Sequence, residues 1–149
     1  MSTIKKNIQQ KLIEAMKRKD KETIESLRFL MAKIKNLEIE KRGELSDEEI
    51  VVLTRKLIKE IQESIVAFEK GGREDLKNHS LKQKEIFSQF LPPELSDEEL
   101  EKEIKKIIES HSSLFQKNQK AIIGVVMKKL RGKAQSQRIL KTFQRLTNN

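Results

Sequence analysis

Cysteine, tryptophan and tyrosine are missing from this 149-residue chain, and glycine and proline are scarce, at five and two. Without cysteine there is no disulfide, no thiolate zinc site and no cysteine nucleophile. So little glycine and proline is at odds with turn-rich β-sandwiches and barrels, with collagen and with Pro/Gly-rich disordered chains. Six phenylalanines are the only aromatic residues, which argues against reading single strands by base stacking. Long apolar runs are also lacking. Ile50-Val51-Val52-Leu53 and Val125-Val126-Met127 are short, and Ala121–Met127 reaches only seven residues with Gly124 counted in. A membrane span needs about 20. The opening Met1-Ser2-Thr3-Ile4-Lys5-Lys6 has no apolar signal core. The expectation is a cytoplasmic protein with no membrane partner.

What is abundant is charge. Charged residues make up 37% of the chain and hydrophobic ones 36%, against a usual charged share of about 25%. The core must therefore come from one face of each element. The net charge is +9, and its distribution is uneven. All 23 acidic residues lie between Glu14 and Glu109, and residues 1–109 hold 23 basic ones, so that stretch is neutral. Residues 110–149 hold nine basic residues and no acidic one: Lys117, Lys120, Lys128, Lys129, Arg131, Lys133, Arg138, Lys141 and Arg145. A one-sign segment beside a balanced one points to a polyanionic partner. The plain alternative is a solubilising tail, but an unstructured tail would lack the apolar periodicity found here.

The pattern is helical throughout, and the expected fold class is all-α. A first helix spans about 2–18, with Ile4, Ile8, Leu12, Ala15 and Met16 on its apolar face. Asp20 suits the N-cap of a second, in which Ile24, Leu27, Leu30, Met31, Ile34 and Leu37 recur at three- and four-residue steps until Gly43 ends it. Ser46 and Glu49 form a capping-box pair for a third. There Ile50, Thr54, Leu57, Ile58, Ile61, Ile65 and Phe68 share one face, and Gly71-Gly72 closes it. A fourth runs from about Arg73 to Leu91 around Leu76, Ile86, Phe87 and Phe90. Pro92-Pro93 then stops any helix and marks the domain boundary. Ser96 starts a fifth helix by the same chemistry as Ser46, with Leu100, Ile104, Ile107 and Ile108 inward. Ser110–Ser113 reads as a loop. A sixth helix covers about Lys117–Leu130 and is apolar almost all round, save a stripe of Lys117, Ala121, Gly124 and Lys128. Gly124 costs about 1 kcal/mol relative to alanine. Close approach by a ligand or backbone, or tight helix packing, would account for it. A seventh covers about Gln135–Leu146, with Ile139, Leu140, Phe143 and Leu146 inward. Arg138, Lys141 and Arg145 lie on the other side, so replacing them is expected to leave packing undisturbed. The architecture is a four-helix domain, 1–91, followed by a small basic three-helix domain, 94–149.

Catalytic chemistry is hard to find. His79 reads as a helix-surface residue and His111 as a loop residue, and neither has a partner at metal-ligand spacing. There is no GxxxxGK[ST] or GxGxxG phosphate loop and no GxSxG elbow. The carboxylates alternate with lysines as on solvated helix faces. The expectation is no catalytic residue, no metal and no cofactor.

Four segments, in this order, resemble the GatB/YqeY family: Ser26-Leu27-Arg28-Phe29-Leu30-Met31-Ala32-Lys33-Ile34-Lys35-Asn36, Lys70-Gly71-Gly72-Arg73-Glu74-Asp75-Leu76, Leu91-Pro92-Pro93-Glu94-Leu95-Ser96 and Gly124-Val125-Val126-Met127-Lys128. The likeness covers nearly the whole chain, which is similar to stand-alone YqeY proteins. The resemblance implies a two-domain all-α fold. It also implies a helical module shared with the tail of the GatB subunit of tRNA-dependent amidotransferase, where the tail helps engage tRNA. Nothing here matches that enzyme's catalytic core or its glutaminase subunit. One segment departs from the pattern. Family members usually have a longer connection before a G-R-A-D-G segment. Here Met127-Lys128-Lys129-Leu130-Arg131 leads directly to Gly132-Lys133-Ala134-Gln135-Ser136, a spacing more similar to the GatB tail.

The expected function is a non-catalytic module for tRNA or another structured RNA. Phosphate neutralisation dominates nucleic-acid affinity, and Lys128, Lys129, Arg131, Lys133, Arg138, Lys141 and Arg145 would supply it. The resemblance adds amidotransferase subunits or an aminoacyl-tRNA synthetase as further partners. Two alternatives stand beside this. One is an adaptor for an acidic protein. The other, implied by the family name, is an accessory component of the aminoacyl-tRNA amidotransferase, a carbon–nitrogen ligase with glutamine as amido-N donor.

Overall fold

The computed structural model describes residues 2–148. Eight helices follow one another: α1 (Thr3–Arg18), α2 (Lys21–Lys41), α3 (Asp47–Lys70), α4 (Glu74–Ser88), α5 (Asp97–Ser110), α6 (Ser112–Lys117), α7 (Gln119–Lys129) and α8 (Ser136–Thr147). No strand occurs among the described residues, so the fold is all-α. The chain divides into two compact units, Met1–Leu91 and Pro92–Asn149.

In the first unit α3 packs along α4, and α2 packs against both α1 and α4. The core gathers Ile8, Leu27, Leu30, Ile34, Ile50, Leu57, Ile61, Ile65, Ile86 and Phe87. These are the residues that recur at helical spacing, because only they present a continuous apolar face. Met16, set on the inner face of α1 by its spacing, is instead 48% exposed. Polar side chains fix the helix ends. The Ser2 hydroxyl accepts from Lys5 N and donates to Asp47, which also accepts from Ile4 N at 3.1 Å. One carboxylate thereby ties the start of α1 to the start of α3. Glu38 takes Lys5 Nζ at 2.8 Å and Leu45 N at 3.0 Å. Hydrogen bonds from Lys5 and Leu45 hold its carboxyl below the usual range.

In the first unit the end of α2 is closed differently from the expected pattern. Gly43 is not the left-handed residue that closes α2. Arg42 takes that conformation at φ 61°, and Gly43 N reaches back to Glu38 O at 3.1 Å. The two amides complete a six-to-one closure whose left-handed position lies one residue earlier than glycine placement implied. At the end of α3 the closure falls on glycine: Gly72 has φ 69°, and Arg73 N bonds Phe68 O at 2.9 Å.

In the second unit α5 packs against α7 and α8, and short α6 lies against α7. Leu100, Ile104, Ile107, Ile122, Val126, Leu130, Ala134, Ile139 and Phe143 form its core. Three expectations are corrected. Ser110–Ser113 is not a loop: the chain turns at His111 alone and α6 begins at Ser112. The next helix starts at Gln119 rather than Lys117. The Asn118 side-chain Oδ1 accepts from Lys120 N at 3.1 Å and Ala121 N at 3.4 Å, an N-cap that cuts Lys117 off into α6. In α8 Leu140 is 38% exposed, whereas Thr142 is buried and satisfies its hydroxyl on Arg138 O at 2.8 Å.

Candidate nucleic-acid interface

Four basic residues of the second unit lie at the end of α7, Lys128 and Lys129, and in the tight turn that leads to α8, Arg131 and Lys133. Leu130 and Ala134 are buried and anchor its two ends. Lys133 N closes it on Leu130 O at 2.9 Å, and Gly132 sits at φ 79°. Glycine takes that third turn position without strain. With both anchors turned inward, Lys128, Lys129, Arg131 and Lys133 are left exposed. The Lys133 carbonyl accepts from Leu95 N at 2.9 Å, which holds the turn against the segment preceding α5.

The three cations of α8 differ from one another. Lys141 is exposed. Arg145 reaches Glu101 Oε2 at 3.5 Å. Arg138 is drawn into the fold: its guanidinium donates to Glu94 Oε2 at 3.1 Å, to Leu95 O at 2.8 Å and to Asp97 Oδ1 at 2.8 Å. The bond to Asp97 raises its pKa further. Arg138 is therefore part of the packing, contrary to the expectation that it could be replaced freely. Helical geometry accounts for the difference. At about 100° per residue, Lys141 lies nearly opposite Ile139, while Arg138 flanks the buried arc next to Thr142. A long guanidinium at the flank reaches the acidic start of α5.

These pairs sort the charge of the unit. Glu94, Asp97 and Glu101, on or just before α5, are offset by Arg138 and Arg145. Among the described residues, Lys128, Lys129, Arg131, Lys133 and Lys141 have no ion pair or side-chain hydrogen bond. Of the seven residues singled out by sequence, the structure places four at the end of α7 and in the turn after it, leaves Lys141 open on α8, engages Arg138 fully and shares Arg145. Lys120 on α7 is a further exposed cation that belongs beside them.

The two histidines lie on other elements. His79 lies on α4 with Nδ1 3.1 Å from Glu22 Oε1, and His111 Nδ1 lies 3.0 Å from Ile107 O at the joint of α5 and α6. No group of three or more histidine, aspartate or glutamate side chains that could hold a metal occurs among the described residues. No described helix is long and apolar enough to cross a membrane. The first unit carries an open pocket of ≈ 290 Å³ between α2, α3 and α4, lined by the apolar Phe29, Leu57, Ile61, Phe68 and Leu76 and by the polar Glu60, Ser64, His79, Ser80 and Gln83.

A family model described as Yqey-like protein matches residues 5–146. The chain belongs to the YqeY-like family. The match leaves out only four residues at one end and three at the other, so both units are parts of a YqeY-like protein, and the basic turn lies within the matched region. No curated protein matches the chain. Within this YqeY-like fold, the feature that sequence reading missed is the Arg138 clamp. Its partners Glu94 and Asp97 lie over forty residues away, and no local spacing signals them.

Proposed function

We propose that the second unit of this YqeY-like protein binds structured RNA through its phosphate backbone, with tRNA the first RNA to test. The observation that carries the reading is the set of five exposed cations, Lys128, Lys129, Arg131, Lys133 and Lys141, with no carboxylate partner. Lone lysines on a solvated surface usually alternate with acids. Here none follows Glu109. Lysines and arginines that meet phosphates gain by releasing condensed counterions, and the gain carries no sequence information. The lack of tyrosine and tryptophan favours a folded RNA recognised by shape over stacked single strands. The resemblance to the GatB tail supports tRNA in particular.

Filter binding of tRNA over a range of salt tests the proposal. If five phosphates are neutralised, the log–log slope should be about −4. Replacing Lys128, Lys129, Arg131, Lys133 and Lys141 by glutamine should abolish most of that slope and weaken binding to every tRNA alike. Arg138 is left intact in this variant because it holds the fold. A duplex DNA of equal charge should compete less well than tRNA. Equal competition would make the surface a general polyanion site and favour an adaptor for an acidic protein. A slope that survives the substitutions in a folded variant would overturn the proposal.

A further inference from the structure

α7 is apolar almost all round. Ile122 and Val126 are buried, and Ala121, Ile123, Val125 and Met127 are half-buried. Its exposed residues are Gln119, Lys120, Gly124, Lys128 and Lys129. Lys120, Gly124 and Lys128 follow at four-residue steps and so form one line along the helix. Glycine inside a helix is less favourable than nearly any other residue except proline. Nothing within the unit calls for it. A Cβ at position 124 would meet nothing within 4 Å, which rules out tight helix packing inside the chain. Its φ is not positive either, so the backbone makes no demand for glycine. What Gly124 provides is bare helix backbone between two ammonium groups.

We infer that this line seats one strand of the RNA sugar–phosphate backbone. The strand runs along this line over Gly124, where the missing side chain lets a ribose edge touch the helix, and Lys120 and Lys128 hold phosphates on either side. The two lysines are eight residues apart, about 12 Å along the axis, and their flexible stems adjust to neighbouring phosphates. An apposed second copy would bring the same two cations against themselves, so the charge favours an anion over self-association. The inference rests on the RNA-binding reading and extends it: Lys120 and Gly124 join the interface, and contact is close rather than long-range.

The test uses the full chain, tRNA as the probe, and three variants: Gly124→Gln, Gly124→Ala and Lys120→Gln. Gly124→Gln should raise the thermal midpoint by about 2–5 °C, since a better helix former replaces glycine in open space. It should also weaken tRNA binding about five- to tenfold with the salt slope unchanged, because no charge is removed. Gly124→Ala should raise the midpoint with a smaller affinity loss. Lys120→Gln should flatten the slope by about one. Stability and affinity moving in opposite directions is the signature expected. Variants that bind tRNA as the unaltered chain does would overturn this inference and leave the RNA reading standing. An unaltered chain that binds no tRNA would overturn both. A fall in midpoint for Gly124→Gln, or a dimer of the unaltered chain that this substitution dissociates, would assign the glycine to folding or self-association and overturn the inference.

Discussion

Arg138 and Lys141 are three residues apart on α8, both basic, and they do different work. Arg138 makes three hydrogen bonds to the segment at the start of α5. Lys141 makes none among the described residues. Charge-assisted hydrogen bonds of this kind contribute about 1–2 kcal/mol where water partly screens them. Arg138→Gln should therefore destabilise the second unit by about that amount, measured by urea unfolding of the full chain followed by helix signal. Lys141→Gln should shift stability by less than about 0.5 kcal/mol. If both variants unfold alike, the Arg138 clamp does not hold in solution.

The same capping chemistry starts α3 and α5. Ser46 accepts from Glu49 N at 3.1 Å and Glu49 returns to Ser46 N at 3.1 Å, and Ser96 and Glu99 repeat the arrangement at 3.1 and 3.2 Å. Replacing either serine by alanine should cost about 1 kcal/mol. The two glutamates titrate differently. Lys41 Nζ lies 2.6 Å from Glu49 Oε1 and, with the Ser46 amide, lowers the Glu49 pKa from 4.5 to about 2. Glu99 is lowered by Ser96 without a lysine. Because the folded chain binds these protons more weakly than the unfolded one, acid favours unfolding. The stabilisation is complete above about pH 4.5, fades as pH falls and is gone below the folded value, about 2 for Glu49. Carboxyl carbon titration by NMR should show Glu49 titrating below Glu99, and Lys41→Ala should bring the two together.

Each of the two units closes its own core. Every member of the first cluster lies before residue 91 and every member of the second after residue 94. A fragment of residues 1–91 should therefore unfold cooperatively by itself. The second unit has 58 residues, near the size at which burial alone is marginal, so its polar clamp counts for more. A fragment of residues 92–149 should be helical by circular dichroism. One of residues 98–149 loses Glu94, Leu95 and Asp97, the partners of Arg138 and the Lys133 carbonyl, and should lose much of its helix signal. Equal helicity in the two would show that the segment before α5 adds nothing to the fold.

Most inward faces and the two capping boxes follow from residues within a turn or two of each other, which is why spacing alone located Leu27, Leu30 and Ile34, or Ser46 with Glu49, although seven helices were expected and eight are found. Net charge is a sum, so the basic C-terminal segment was equally legible. Short-range rules were outweighed where two local preferences competed: Asn118 capping its own helix moved the start of the expected sixth helix from Lys117 to Gln119, and Arg42 took the left-handed turn that Gly43 suggested. Tertiary packing alone decided which cations remain free. Whether an arginine faces solvent or a carboxylate depends on what the fold brings alongside from forty residues away, as Glu94 and Asp97 meet Arg138. The open space over Gly124 was settled the same way, since a position's neighbours exist only once the helices have packed.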